Sequence, residues 1–349
     1  MTSAVRSIID KLSQTHSLSK QEYALLIKER DQEAAALLRS LAVAERKKIY
    51  SNDVYIRGLI EFSNNCKNDC LYCGIRRSNK NADRYRLTNE EILSCASEGH
   101  RLGFRTFVLQ SGEDPYWNDE RLRRLVQQIK KAHPDCAVTL SVGERPFESY
   151  KRLKDAGADR YLLRHESASE DLYKKLHPAS MSFSGRMECL KNLRSLGYSV
   201  GAGFMVGSPF QNEEDLACDL KFIETFSPQM CGIGPFIPHK DTPFANESAG
   251  SVELTCFLIS VIRLIKPNIL LPATTALGTL ASDGREKGIL SGANVIMPNL
   301  TPVAVRKKYS LYDGKICMGE ESAQCKFCVD KKIAAIGYKT VVSRGDIID

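Results

Sequence analysis

The chain has 349 residues, enough for one large α/β barrel or two ordinary domains. A composition of 43% hydrophobic and 26% charged residues excludes a disordered chain. The 49 Lys and Arg against 42 Asp and Glu leave +7 with no dense basic tract, so no nucleic-acid partner is expected.

Residues 1–50 read as a helical extension, because QEYALLIKERDQEAAALLRSLAVAERKK repeats apolar residues at helical steps without Pro or Gly. The first residues, MTSAVRSIIDKLSQTH, are too polar for a secretory signal, and a cytoplasmic chain is expected. In that reducing compartment the 12 cysteines are read for metal rather than for disulfides. Beyond residue 55, short apolar runs alternate with amphipathic stretches. The strand candidates are Gly58–Phe62, Thr106–Gln110, Ala137–Val142, Arg160–Arg164, Ser199–Val206, Gly232–Ile237, Ile269–Pro272 and Asn294–Met297. Helical patterns lie near 89–102, 119–132, 146–155, 168–176, 185–196, 212–226, 250–265 and 282–291, the first opened by a capping-box signal, Thr88-Asn-Glu-Glu91. This alternation predicts a complete (β/α)8 barrel over 51–305, with an open doubly wound sheet as the alternative. Residues 306–349 form a C-terminal extension. The most apolar stretch, Leu254 to Leu271, is broken by Arg263, Lys266 and Pro267, so no membrane span is expected.

Directly after the first strand stands Cys66-x3-Cys70-x2-Cys73. Three thiolates so spaced can wrap a loop around one cubane and leave one iron open, as a catalytic metal site requires. A zinc knuckle would want a fourth Cys or His close by, and none lies within 20 residues on either side. CxxxCxxC after the first strand of a β/α barrel resembles the signature of radical S-adenosylmethionine (SAM) enzymes. The resemblance implies a [4Fe-4S] cluster whose open iron chelates SAM, and reductive cleavage of SAM to methionine and a 5′-deoxyadenosyl radical. It also implies that the Tyr72 ring sits beside adenine.

Active sites of such barrels lie at the C-terminal strand ends. After strand two, Gln110-Ser111-Gly112-Glu113 resembles the superfamily's GGE motif, with Ser111 in place of the first glycine; an ordinary tight turn is the plainer reading. On strand four, alternation puts Arg160, Leu162, Arg164 and Glu166 on one face, and Tyr161, Leu163 and His165 on the other. Facing inward, the two arginines would suit an anionic substrate and Glu166 would suit SAM; a structural Arg–Glu pair is the alternative. His165 reads as structural. Gly201 and Gly203 on strand five permit close approach. Arg186, opening the preceding helix, is a candidate for the SAM carboxylate. Thr274 and Thr275 offer hydroxyls after strand seven. Near the C-terminus, Cys317-x7-Cys325-x2-Cys328 reads as a second Fe–S site, with zinc or free thiols as the alternatives. The remaining cysteines, among them Cys95, Cys231 and Cys256, read as small core residues.

Taken together, IEFSNNCKNDCLYCGIRRSNKN, RYRLT, VLQSGEDPYW, ADRYLLRHES, GAGFMVGSP, GIGPFIPHKDTP, PATTA, GANVIMPNLTP and YSLYDGKIC resemble the HydE-type [FeFe]-hydrogenase maturases from about residue 50 to 328. The resemblance implies sulfur-directed radical chemistry on a cysteine-bound iron carbonyl-cyanide precursor, delivered by a partner maturase, in assembly of the H-cluster diiron subcluster. It implies that Tyr72, Gln110, Ser111, Gly112, Glu113, Ser141, Glu166, Arg186 and Met205 surround SAM. Arg160 and Arg164 would hold the substrate carboxylate, with Met230, Thr274, Thr275, Met297 and Tyr312 lining the cavity. Cys317, Cys325 and Cys328 would hold an accessory [2Fe-2S] or [4Fe-4S] cluster. A ferredoxin or flavodoxin would supply electrons. The rival readings are biotin synthase, whose YNHN-type strand is replaced here by YLLRHE, methylornithine synthase, and a non-enzymatic Fe–S scaffold.

Overall fold

A computed structural model describes residues 1–316 and 326–348. The N-terminal span holds α1 (Ser3–Thr15), α2 (Lys20–Lys28) and α3 (Gln32–Tyr50). The buried residues of α1, Val5, Ile8, Ile9 and Leu12, recur at three- and four-residue steps and form its inner stripe. Arg46 of α3 is fully buried, donates to the carbonyls of Ser51 and Asp53, and stacks on Tyr338. It thereby ties the helices to a strand that the residue pattern did not announce, β1 (Asp53–Ile56).

The barrel follows. β2 (Gly58–Ser63) leads through α4 (Asn89–Arg101) to β3 (Thr106–Ser111), and α5 (Asp119–Ala132) leads to β4 (Ala137–Ser141). Next come α6 (Phe147–Asp155), β5 (Arg160–Leu162), α7 (Glu170–Leu176), α8 (Phe183–Ser195), β6 (Ser199–Ala202), β7 (Met205–Val206), α9 (Glu213–Phe226), β8 (Met230–Cys231) and β9 (Gly234–Pro235). The ring is completed by α10 (Val252–Ile265), α11 (Thr275–Leu280), α12 (Gly284–Leu290) and β10 (Val295–Ile296). The expected capping box forms, with Thr88 and Glu91 each accepting from the other's backbone N–H. β2 is buried along its whole length, as a parallel stave covered on both faces must be.

β2, β3, β4, β5, β6 and β8 pair in that order, all parallel. Single bridges close the ring: Met230 to Leu270, Pro272 to Val295, and Asn299 back to Leu59. The expected complete barrel is therefore present. Its seventh stave, around 269–272, is held by bridges and by Arg263, whose buried guanidinium donates to Pro267, Ile269, Gly292 and Asn294. Among the described residues no helix is long and apolar enough to cross a membrane.

After α13 (Val303–Arg306) the chain crosses the barrel mouth, and α14 (Lys326–Ala335) leads to β11 (Lys339–Val341). β11 pairs with β1, on the side opposite β10. Residues 343–348 then lie under the N-terminal strand ends, where the Arg344 carbonyl accepts from Thr106 and the Gly345 carbonyl from Arg57. The barrel thus has a floor made of its own tail.

Candidate active site

The loop after β2 carries Cys66, Cys70 and Cys73. Arg84 shapes it by donating to four carbonyls, those of Asn64, Ile75, Arg76 and Asn79. Backbone bonds fix its rim: Lys67 to Glu113, Leu71 to Leu176 and Gly74 to Leu311. Burial pushes the Cys73 thiol up to about 12, with repulsion from Cys66 adding to it, and burial raises Cys66 and Cys70 as well. Bound iron would have to displace those protons.

Gly112 lies against this loop so closely that a Cβ would stand 2.3 Å from the Asn65 carbonyl oxygen and 2.8 Å from Cys66 Cβ. Only glycine lets the β3 turn approach the cysteines. Glu113 accepts from the Glu144 backbone N–H at 2.9 Å and pairs with Lys67 at 3.2 Å. Tyr72 shares its hydroxyl hydrogen bond, 3.2 Å, with His177 Nε2. Since His177 Nδ1 sits 2.9 Å from the Tyr173 carbonyl it must be the protonated nitrogen there, so Tyr72 donates and its ring is oriented.

Beneath the loop a cavity of about 370 Å³ runs down the barrel. Cys66, Cys70, Cys73, Tyr72, Gln110, Ser111, Gly112, Glu113, Ser141, Arg164, Glu166, Arg186, Met205, Met230, Thr274, Thr275, Met297 and Tyr312 all line it. Arg160 does not. Its guanidinium is buried at the floor, bonded to Thr106, the Arg344 carbonyl and Asp346. The expectation that both arginines grip one substrate is corrected here. Strand alternation would put residues 160 and 164 on one face, but four extended residues span ~13 Å, which separates floor from cavity. Arg160 is a structural residue of the floor.

β5 ends at Leu162, and Glu166 has a left-handed φ of 64°, so the strand-alternation argument stops short of it. That turn carries the Glu166 carboxylate to within 3.1 Å of the Arg164 Nη2 atom. His165 faces outward, as expected, against Phe222 and Asp219. Gly203 N–H donates to His165 Nδ1, so Nε2 carries the proton and donates to Asp219. Arg186 is engaged by Glu144 and by the Arg164 carbonyl, both at 2.5 Å.

Cavity residues that the sequence reading passed over are Arg57, Glu61, Thr139, Tyr309 and Lys315. Glu61 had a signal: a carboxylate inside the otherwise apolar run Leu59–Phe62 of a barrel stave is costly unless used. Cys317 and Cys325 lie outside the described residues; Cys328 lies in α14 and is exposed.

Several buried polar atoms in the cavity have no hydrogen-bond partner: Arg57 Nε, Thr139 Oγ1, Arg164 Nε and Thr274 Oγ1, while Arg164 Nη2 and Glu166 Oε2 form an ion pair with each other. Buried polar groups are normally satisfied, so their concentration here marks space shaped for a polar ligand. Three thiols on one loop, a glycine turn pressed against it and this unsatisfied polar lining fit a [4Fe-4S] cluster with SAM beside it.

Residues 60–223 match the Radical SAM superfamily, and the chain is a radical SAM enzyme, of the class that uses a [4Fe-4S] cluster and SAM. It is 48% identical over 337 residues to the [FeFe] hydrogenase maturase subunit HydE of Thermotoga maritima, covering 96% of this chain and 95% of that one. It is 29% identical over 309 residues to 3-methylornithine synthase of Methanosarcina barkeri, covering 88% of this chain and 87% of that one. Among solved structures, methylornithine synthase (PylB) matches with a TM-score of 0.80 at 26% identity, over 96% of this chain and 97% of that one. The hydrogenase maturase HydG matches in fold, with a TM-score of 0.82 at 20% identity, over 97% of this chain and 76% of that one. The chain belongs to the HydE family of [FeFe] hydrogenase maturases.

Proposed function

We propose that this chain acts on a cysteine-bound iron carbonyl-cyanide precursor during assembly of the hydrogenase diiron subcluster. The observation that carries the reading is the Arg164 guanidinium, which lines the cavity with Nε unpartnered and Nη2 paired to Glu166 at 3.1 Å, while the cysteine loop closes the same cavity above it. A partly exposed guanidinium held by one carboxylate at a single nitrogen can still grip a second, and a substrate carboxylate fits its fork. A cysteine-derived substrate would bring that carboxylate and leave its sulfur free for reaction.

Cys66, Cys70 and Cys73 would hold the cluster. When bound, the cluster supplies the open iron that chelates SAM and the electron that cleaves it to an adenosyl radical. The chain's own residues do the rest. Gly112 and Glu113 receive the SAM amino group, Arg186 its carboxylate, and Tyr72 with Met205 its adenine side. Gln110, Ser111, Ser141 and Glu166 complete that half. Arg164 anchors the substrate, and Met230, Thr274, Thr275, Met297 and Tyr312 shape the remaining wall. Apolar wall atoms keep water from the reacting centre. Cys317, Cys325 and Cys328 would hold an accessory cluster. Other maturases would deliver and receive the iron species, and a ferredoxin or flavodoxin would reduce the enzyme.

The test is anaerobic. The reconstituted, reduced protein is given SAM, and the EPR signal and 5′-deoxyadenosine are followed; it is then combined with the partner maturases, the iron precursor and apo-hydrogenase. Precursor-dependent 5′-deoxyadenosine and hydrogenase activation are expected. SAM cleavage without any response to the iron precursor, but with formation of 3-methylornithine, would move the chain to the methylornithine synthase reading.

A further inference from the structure

A buried ion pair stands in the cavity wall, outside every role assigned above. Lys315 Nζ lies 2.5 Å from Glu61 Oε1, and the two side chains are 6% and 1% exposed. Lys315 also donates to the Tyr309 carbonyl at 2.9 Å and sits over the Tyr309 ring. The other oxygen of Glu61 accepts from Asn299 at 2.9 Å. Tyr309 in turn accepts from Gln110 at 3.4 Å. The pair therefore joins β2, the stave that feeds the cysteine loop, to the segment that crosses the barrel mouth.

That segment, residues 309–316, contributes Tyr309, Leu311, Tyr312 and Lys315 to the cavity wall. Its attachments beyond the staves are neutral or peripheral: Leu311 accepts from Gly74 of the cysteine loop, Asp313 donates to Pro238 and accepts from Lys240, and Ile316 donates to Thr279 of α11. Lys315 is its charged link to a barrel stave, β2, beside the longer neutral bond from Gln110 of β3 to Tyr309. An apolar pair would fill the wall at less cost, since burying two charges is unfavourable unless their geometry specifies something. What the Lys315–Glu61 geometry specifies is the height and register of the crossing segment above the cavity.

We propose that residues 309–316 form a lid over the reaction cavity, and that Lys315 is a positioning residue which locks this lid through Glu61. The locked lid holds Tyr309 and Tyr312 against the substrate and keeps solvent and reductant away from the radical. The inference rests on the reading that substrate occupies this cavity.

The experiment compares reconstituted holoenzymes: wild type, Lys315→Met, Lys315→Arg, and the double variant Lys315→Met with Glu61→Leu. Hydrogen exchange of residues 307–316 is read first, since it needs no turnover. Coupling is read next, as hydrogenase activation per 5′-deoxyadenosine released. Lys315→Met is expected to raise lid exchange and to lower coupling on the order of tenfold, with KM for the iron precursor rising more than kcat falls. Lys315→Arg should recover most of the coupling. The double variant removes the orphaned carboxylate, so it stays informative if the single variant is unstable, and its lid exchange should lie between the two. Lid exchange and coupling unchanged in a folded, iron-loaded Lys315→Met would overturn the proposal. So would a lower melting temperature with coupling intact, which is a purely structural role. Failure of wild type to use the iron precursor would instead count against the function reading, and the exchange result would stand apart from it.

Discussion

Arg160 at the start of β5 and Asp346 in the C-terminal tail meet at 2.6 Å, a guanidinium 1% exposed against a carboxylate 54% exposed. Arg344 braces the contact by pairing with both Asp159 and Asp346. The tail is thereby pinned under the barrel by residues 186 apart in sequence. Burial pushes the Asp346 carboxyl up, but hydrogen bonds from Arg344 and Arg160 outweigh it, and the net shift is downward. A carboxylate with a lowered pKa stabilises the fold above its ordinary value near 3.8, and that contribution disappears as pH falls below it.

Asp346→Ala should leave the Arg160 charge buried without a carboxylate. Removing one partner of a buried pair is strongly destabilising, but half-exposure of Asp346 reduces the loss to about 1–3 kcal/mol. Urea unfolding at pH 7 measures it. Repeating the measurement at successively lower pH below 3.8, as the wild-type carboxylate takes up its proton, should show the difference between the two proteins shrinking.

Arg160 and Arg164 should separate cleanly. Arg164→Met is expected to lose maturation activity by on the order of a hundredfold with the melting temperature little changed. Arg164→Lys should not restore it, because an ammonium lacks the bidentate fork. Arg160→Met should do the reverse, lowering stability while the surviving folded enzyme keeps its KM. Equal loss of KM in both would mean that substrate reaches the floor.

Two buried histidines make the fold sensitive to acid. Burial holds His165 down to about 3, and burial with the nearby Arg186 holds His177 at about 3. Unfolded, each titrates near its ordinary value, about 6.5. Folded, each stays neutral, so the unfolded chain binds more protons below that value. Stability should be flat above about pH 7 and fall by up to ~1.4 kcal/mol per pH unit for each histidine below 6.5. Anaerobic urea unfolding at pH 7.5 and 5.5 tests the slope, and His177→Gln should remove roughly half of the histidine part.

Gly143 has a φ of 78°, and a Cβ there would stand 2.0 Å from the Glu113 side chain. Gly143→Ala should push Glu113 off its bond to the Glu144 N–H. SAM affinity, read by EPR titration, should weaken by on the order of tenfold, while Glu113→Gln at the same site gives a comparable loss. Unaltered SAM affinity in Gly143→Ala would separate Glu113 from SAM binding.

Spacing along the chain was enough to reveal the staves, the helices between them and the cysteine loop. Apolar runs such as Thr106–Gln110, and helices such as 119–132, need only local periodicity to be read. Cys66, Cys70 and Cys73 need only their own separation, because a loop that short keeps its thiols together wherever it sits. Periodicity also placed Arg160 and Arg164 on a common face, and it could do no more, since a face carries no depth. β1 and β11 escaped because each is a strand through pairing with segments hundreds of residues away. Lys315 and Glu61 escaped for the same reason: neither has a partner until the chain crosses the mouth and returns to β2. What the sequence determined by itself was the class of chemistry and the order of elements. What the tertiary structure alone decided was which charges meet. That difference is physical: ligand spacing and strand faces are set within a few covalent bonds, whereas depth in the barrel and pairing of distant charges exist only once the ring has closed.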